Sequence, residues 1–362
     1  MLAERVVWGK ECTELETCHP KTLWVPAFAR PYRPAIRPGG CPSAGQALPS
    51  PTVESPISPP PAPASPQSVE HVAAALAEHG YLADEGLATV IFLAITLRRP
   101  LLLEGEAGVG KTEVAKVLAR WTGAELLRLQ CYEGIDMAQA VYEWDYSRQL
   151  LHLRAAEAGG VGAEQAENEL YSERFLVRRP LLRAIAHSDG PVPVLLIDEV
   201  DRADDEFEAF LLEILSDYTV TVPELGTFRA EVPPLVILTS NRTRDVHDAL
   251  KRRCLYHWVE HPGFEREVAI VRLRAPEVSE LLARQVAGAV EALRHMELYK
   301  PPGVAETVDW AQAIAALGRS QIDDWSLQST LGSVLKYRED TDRVRQSGVG
   351  ELVRAAVLRA TS

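Results

Sequence analysis

Long apolar runs are missing from this chain. The longest candidate, Leu87 to Leu97, stops at Arg98 and Arg99, short of the roughly 18 apolar residues that a membrane-spanning helix needs. An apolar signal core is missing too, because Glu4, Lys10, Glu11, Glu14 and Glu16 interrupt the N-terminal stretch. Cysteine is scarce and unpatterned. Five cysteines stand at positions 12, 18, 41, 131 and 254, an odd number without the spacing of a disulfide framework. Cys12, Cys18 and His19 are ligand types with no second pair to complete a zinc site. A reduced, cytoplasmic setting is the expectation. Basic charge is outweighed: 38 Lys and Arg against 51 Asp and Glu give a formal net charge of −13. That sign argues against broad attraction to nucleic acid. No internal repeat is visible.

What remains is ordinary globular sequence with one unusual end. The 362 residues are 46% hydrophobic and 25% charged, enough for one large or two modest domains with real cores. Residues 1–66 hold 14 of the 25 prolines. Proline lacks an amide donor and fixes φ, so this segment reads as a disordered or polyproline tail. From Ser68 the pattern turns helical, with Ser68 as cap and Gly80 as stop, and a second apolar helix runs from about Asp84 to Leu97. Short apolar runs then alternate with helices: Leu101 to Leu103, Val194 to Ile197 and Leu235 to Leu238. Such runs suit a mostly parallel sheet covered on both faces, so the fold class is α/β. After Pro262 the strands cease and helical periodicity takes over, as in Glu265 to Arg274 and Val278 to Met296. The expected domains are a tail over 1–66, a nucleotide-binding core over 67–262 and an all-helical domain over 263–362.

The chemistry begins at Gly105-Glu106-Ala107-Gly108-Val109-Gly110-Lys111-Thr112, a Walker A pattern between a strand and the helix Glu113 to Trp121. Glycines let backbone amides turn inward around phosphate oxygens, and the helix N-terminus adds its positive end. Lys111 would face the β- and γ-phosphates of ATP, and Thr112 would offer its hydroxyl to Mg²⁺. A second apolar strand ends in Asp198-Glu199-Val200-Asp201. Two acids at the end of a buried strand call for a cation or a catalytic task, although adjacent carboxylates also suit a helix start. Asp198 would hold Mg²⁺ and Glu199 would polarise the attacking water. Asp201, Asp204 and Asp205 read as the solvated start of the next helix. A third strand ends in Thr239-Ser240-Asn241, placing Asn241 where open α/β sheets bind ligands. The basic run Lys251-Arg252-Arg253 could supply a guanidinium to a neighbouring subunit's phosphate, or form a solvated patch.

These motifs occur in the order found in AAA+ proteins: GEAGVGKT, VLLIDEVD, LTSN and an arginine after ALKR. In particular the chain resembles the MoxR family, closest to the branch associated with maturation of carbon monoxide dehydrogenase. Stretches such as LLRLQCYEGID, YEWDYSRQLLHLR and YKPPGVAETVDWA carry that closer match, and the resemblance runs from about Glu70 to Lys336. It implies an αβα AAA+ core with a helical lid, usually in hexameric rings with ATP between subunits. It assigns the sensor-one role to Asn241 and the arginine finger to Arg253, with Arg252 as fallback. It also implies an ATP-hydrolysing, chaperone-type remodelling activity toward a metalloenzyme client, beside a partner with a von Willebrand A-type domain. The alternative class is a nucleic-acid-associated motor or restriction-type subunit. Two hairpins resemble the family's pore or partner elements. One would set Tyr142, Trp144 and Tyr146 on one strand face; the other would run from Thr219 to Val222, turn near Pro223 to Gly226 and return through Phe228. Packing inside the subunit is the other reading of their aromatics. One feature departs from the family pattern: where many relatives place a sensor-two arginine, this chain has Val304 to Trp310. The nearest arginines are Arg294 and Arg319, and Trp310 reads as lid core.

Overall fold

The computed structural model describes residues 66–160 and 162–361. The proline-rich segment lies outside them except for Pro66, as do Cys12, Cys18 and His19.

The N-terminal half of the fold alternates helices and strands. Helix α1 (Val69–Glu78) starts at Ser68, whose side chain accepts from His71 N, and α2 (Glu85–Leu97) starts at Asp84, which accepts from Leu87 N. There follow β1 (Leu101–Gly105), α3 (Lys111–Thr122), β2 (Leu126–Gln130), α4 (Met137–Ala140), β3 (Tyr142–Trp144), α5 (Tyr146–Ala158) and α6 (Ala163–Leu170). The chain continues through β4 (Leu176–Arg178), α7 (Pro180–Ile185), β5 (Val194–Asp198), α8 (Asp205–Asp217), β6 (Thr219–Val222), β7 (Gly226–Arg229), β8 (Leu235–Ser240), α9 (Asp248–Arg253) and β9 (Leu255–Val259). Five strands form one parallel sheet in the order β2-β5-β8-β1-β9.

Both faces of that sheet are covered, as the continuous apolar runs require. Successive strand residues point to opposite sides. Leu102, Leu195 and Leu238 therefore enter one buried cluster, while Leu101, Leu103, Leu196 and Ile237 enter another. The fold is an αβα sandwich with a mostly parallel sheet.

After β9 only helices follow: α10 (Phe264–Arg274), α11 (Glu280–Arg294), α12 (Val304–Ala316), α13 (Asp324–Val334), α14 (Arg338–Ser347) and α15 (Val349–Thr361). They share a third core centred on Trp310, which is fully buried and donates from Nε1 to Thr330 Oγ1 at 2.7 Å. Arg294 belongs to this region's interior. Its guanidinium grips the buried Glu267 carboxylate at 2.7 and 2.8 Å and also donates to Pro302 O. Among the described residues no helix is long and apolar enough to cross a membrane.

The two hairpins differ from each other in outcome. β6 and β7 pair antiparallel from Thr219↔Arg229 to Val222↔Gly226, as the sequence predicts. The aromatic hairpin is shorter than expected: β3 pairs with β4 but ends at Trp144. Tyr146 lies in the first turn of α5, because Asp145 caps that helix by accepting from Arg148 N. The alternation of Tyr142, Trp144 and Tyr146 thus does not make one strand face. Trp144 is buried, Tyr142 is half-buried and Tyr146 is exposed.

Candidate nucleotide site

The phosphate loop joins the end of β1 to the start of α3. Gly108 (φ +83°) and Gly110 (φ +95°) take left-handed backbone conformations that glycine adopts without strain. Lys111 is the first residue of α3 and is buried. Its ammonium donates to Gly105 O at 2.8 Å and Glu106 O at 2.6 Å. Burial pushes its pKa down to about 8, against the opposing charges of Asp201, Asp198, Glu199 and Glu106.

Next to the loop, Thr112 Oγ1 donates to Asp198 Oδ1 at 3.0 Å. Asp198 is buried at the end of β5, and the same oxygen accepts from Thr239 Oγ1 at 2.6 Å. Thr239 also accepts from the amide of Glu199 at 2.9 Å. That bond helps hold Glu199 at φ +56°, an uncommon conformation for a residue with a side chain and one that clusters at functional sites. The Glu199 carboxylate is then gripped from both flanks. Asn241 Nδ2 approaches Oε1 at 3.4 Å and Gln130 Nε2 donates to Oε2 at 3.1 Å, with Arg202 at 3.3 Å from Oε2.

Lys111, Thr112, Asp198, Glu199 and Asn241 therefore meet at the carboxyl ends of β1, β5 and β8, where open α/β sheets take ligands. A hydroxyl beside a carboxylate next to a phosphate loop fits Mg²⁺, a hard cation that favours oxygen and takes most of its ligands from water and phosphate. Among the described residues no group of three or more His, Cys, Asp or Glu could hold a metal by itself. A cavity of about 300 Å³ continues from the loop between the two regions of the fold, lined by Tyr81, Leu82, Gly110, Arg266, Val304 and Val308 among others.

Arg253 stands apart. It is exposed at the end of α9, and among the described residues no hydrogen bond or ion pair links its guanidinium to the loop or to Asp198, Glu199 or Asn241. The carbonyls of Arg252, Arg253 and Cys254 are held instead by the Arg99 guanidinium, which caps the helix end. Arg99 precedes β1, and α9 precedes β9, so Arg253 lies at the opposite end of the sheet from the loop.

Asp201 corrects the sequence reading. It is buried rather than solvated, and its carboxylate accepts from Asn241 N, Thr243 N and Thr243 Oγ1 at 3.2, 2.9 and 2.7 Å. It holds the loop that presents Asn241. Asp204, by contrast, caps α8, and Asp205 is exposed in its first turn. In place of a sensor-two arginine, the lid meets the phosphate loop through backbone. Val304 N and Ala305 N donate to Gly108 O at 3.0 and 3.4 Å, while Arg294 stays with Glu267.

Residues 100–254 match the AAA domain family, dynein-related subfamily. This segment is an AAA domain. It is an ATP-binding P-loop domain, and it contains the phosphate loop, Asp198, Glu199, Asn241 and Arg253. Over 141 residues, 39% of the chain, the sequence is 33% identical to the ATP-dependent Clp protease ATP-binding subunit ClpL of Lactococcus lactis subsp. lactis, and the match spans 16% of that protein. The Thermotoga maritima RuvB Holliday junction branch migration motor is 15% identical, with 74% of each chain covered and a TM-score of 0.41. A mutant of the same motor is 13% identical, with 79% of this chain and 78% of that one covered and a TM-score of 0.44. Likeness at that level leaves the work of those motors with those proteins.

Proposed function

We propose that the chain is an ATP-hydrolysing AAA+ ATPase of the MoxR type. The observation that carries this reading is the Glu199 carboxylate, held between Asn241 and Gln130 beside the Thr112–Asp198 pair. Lys111 binds and neutralises the terminal phosphates; its present carbonyl partners yield to stronger acceptors. Thr112 and Asp198 would hold Mg²⁺, which when bound supplies charge neutralisation on the phosphate oxygens. Glu199 orients the attacking water and draws off its proton, and Asn241 fixes the direction of that carboxylate. The cavity behind Gly110 receives the base and ribose. Arg253 acts on the site of the next subunit in a ring, a hexamer by resemblance.

The Clp subunit's name supports ATP-dependent action, and the MoxR-like stretches support a remodelling role toward a metalloenzyme client with a von Willebrand A-type partner. The net charge of −13 gives no support to a nucleic-acid motor. Labelled-ATP binding and phosphate release test the core of the proposal. Lys111→Ala is expected to lose most nucleotide affinity. Glu199→Gln is expected to bind ATP normally and lose at least about a hundredfold in turnover, the scale of a general base. Normal hydrolysis by Glu199→Gln would remove Glu199 from the mechanism.

A further inference from the structure

Asp198 already holds a cation in this fold. Arg128 donates from Nε to Asp198 Oδ2 at 3.0 Å, and its Nη2 reaches the same oxygen. Among the described residues it is the one side chain in ion-pair contact with Asp198. The pairing follows from register. Gln130 of β2 lies opposite Asp198 of β5, and Arg128, two residues earlier on the same strand, projects from the same face. Because β2 is an edge strand, Arg128 has room to leave: its side chain is 52% exposed, whereas that of Asp198 is 3% exposed.

The contact continues beyond Asp198. Arg128 Nη2 also donates to Gln130 Oε1 at 2.5 Å, which turns the Gln130 amide so that its Nε2 donates to Glu199 Oε2. One guanidinium therefore ties the metal-type carboxylate to the water-activating one. Thr112 and Thr239 share the other oxygen of Asp198, so Oδ2 is the side on which a cation's water shell competes directly with Arg128.

We propose that Arg128 is a built-in counter-ion of Asp198 which an arriving divalent cation displaces. Arg128 is a positioning residue in this scheme. The inference rests on the nucleotide-binding function proposed above and adds to it a residue that the metal must displace on arrival. Without metal, Arg128 shields the phosphates from the negative charge of Asp198. With metal, Arg128 opposes its entry. Removing Arg128 should thus weaken metal-free binding and favour metal-loaded binding.

The test is the ratio of dissociation constants for a fluorescent ADP analogue, measured on the full chain in EDTA and in Mg²⁺. The ratio cancels the general effect of losing one positive charge. Arg128→Met is expected to raise it about tenfold, the scale of one charge-assisted contact. Arg128→Lys, which keeps the charge without the fork, falls between. In an Asp198→Asn background the Arg128→Met effect should vanish, because the pair no longer exists. Thermal melts show whether each variant is folded before its ratio is read. An unchanged ratio in folded Arg128→Met, or the same rise in the Asp198→Asn background, overturns the inference alone. Wild-type protein that binds no nucleotide in either buffer overturns the nucleotide-binding function itself.

Discussion

Lys111 holds its ammonium against backbone carbonyls, in a place where burial works against its charge. Its pKa of about 8 lies well below the ordinary 10.5. A phosphate beside it favours the protonated form, so ATP affinity is expected to be level below about pH 7. Above pH 8 it should fall by up to about tenfold per pH unit. Fold stability moves the other way. Between about 8 and 10.5 the unfolded chain binds the proton that the folded chain has released, so this lysine's contribution to stability rises with pH. Dissociation constants and thermal melts over pH 6.5 to 9.5 separate the two trends, and an affinity that stays flat to pH 9.5 would contradict the assignment. Other residues of the site show what the sequence alone does and does not disclose. Lys111, Thr112, Asp198 and Glu199 stand in local motifs, so their grouping can be read from neighbours in the chain. Gln130, Arg128 and Thr239 join them only because β2 and β8 flank β5 in a particular register. The buried role of Asp201 is hidden from the sequence for a related reason: its partners, Asn241 and Thr243, are 40 residues away or more.

At the scale of elements, caps outweigh alternation. Tyr142, Trp144 and Tyr146 have the period of a strand, yet Asp145 ends it by capping α5, and a carboxylate followed by a helix-forming run was the available signal. The lid offers a sharper case. Gly303 precedes α12 and packs on the phosphate loop so closely that a Cβ there would stand 2.8 Å from Gly108 Cα and 2.9 Å from Ala107 O. Its backbone angles, φ −85° and ψ −177°, suit alanine, so the penalty of Gly303→Ala is purely steric. We expect that substitution to cost about 1–3 kcal/mol, the usual range for overpacking. Hydrogen exchange at the Val304 and Ala305 amides should rise, because those donors lose Gly108 O. A normal melt with unchanged exchange would mean that the lid and loop are not tightly joined. The position where the family resemblance leads one to expect an arginine is thus filled by helix-start amides that donate to Gly108 O, which sequence comparison reads simply as a missing residue.

For the whole molecule, the two ends of the parallel sheet have different duties. At about 3.3 Å per residue, the five residues of β1 put roughly 13 Å or more between the Arg253 end and the phosphate loop. Arg253 therefore cannot serve its own loop without dismantling β1 and β9, and our proposal gives it to a neighbour. Arg253→Ala should bind ATP normally and hydrolyse it slowly. Mixing it with Glu199→Gln should restore part of the turnover, because a mixed junction can hold one intact copy of each group. Verified mixed assemblies without any rescue would rule out a shared site. On this reading a complete site belongs to a junction and to no single chain. An open row of such chains always has one fewer working junction than it has members, and closing the row supplies the last. Closure would then be visible as arithmetic: turnover per chain would climb with each added member of an open row and stop climbing once the ends meet.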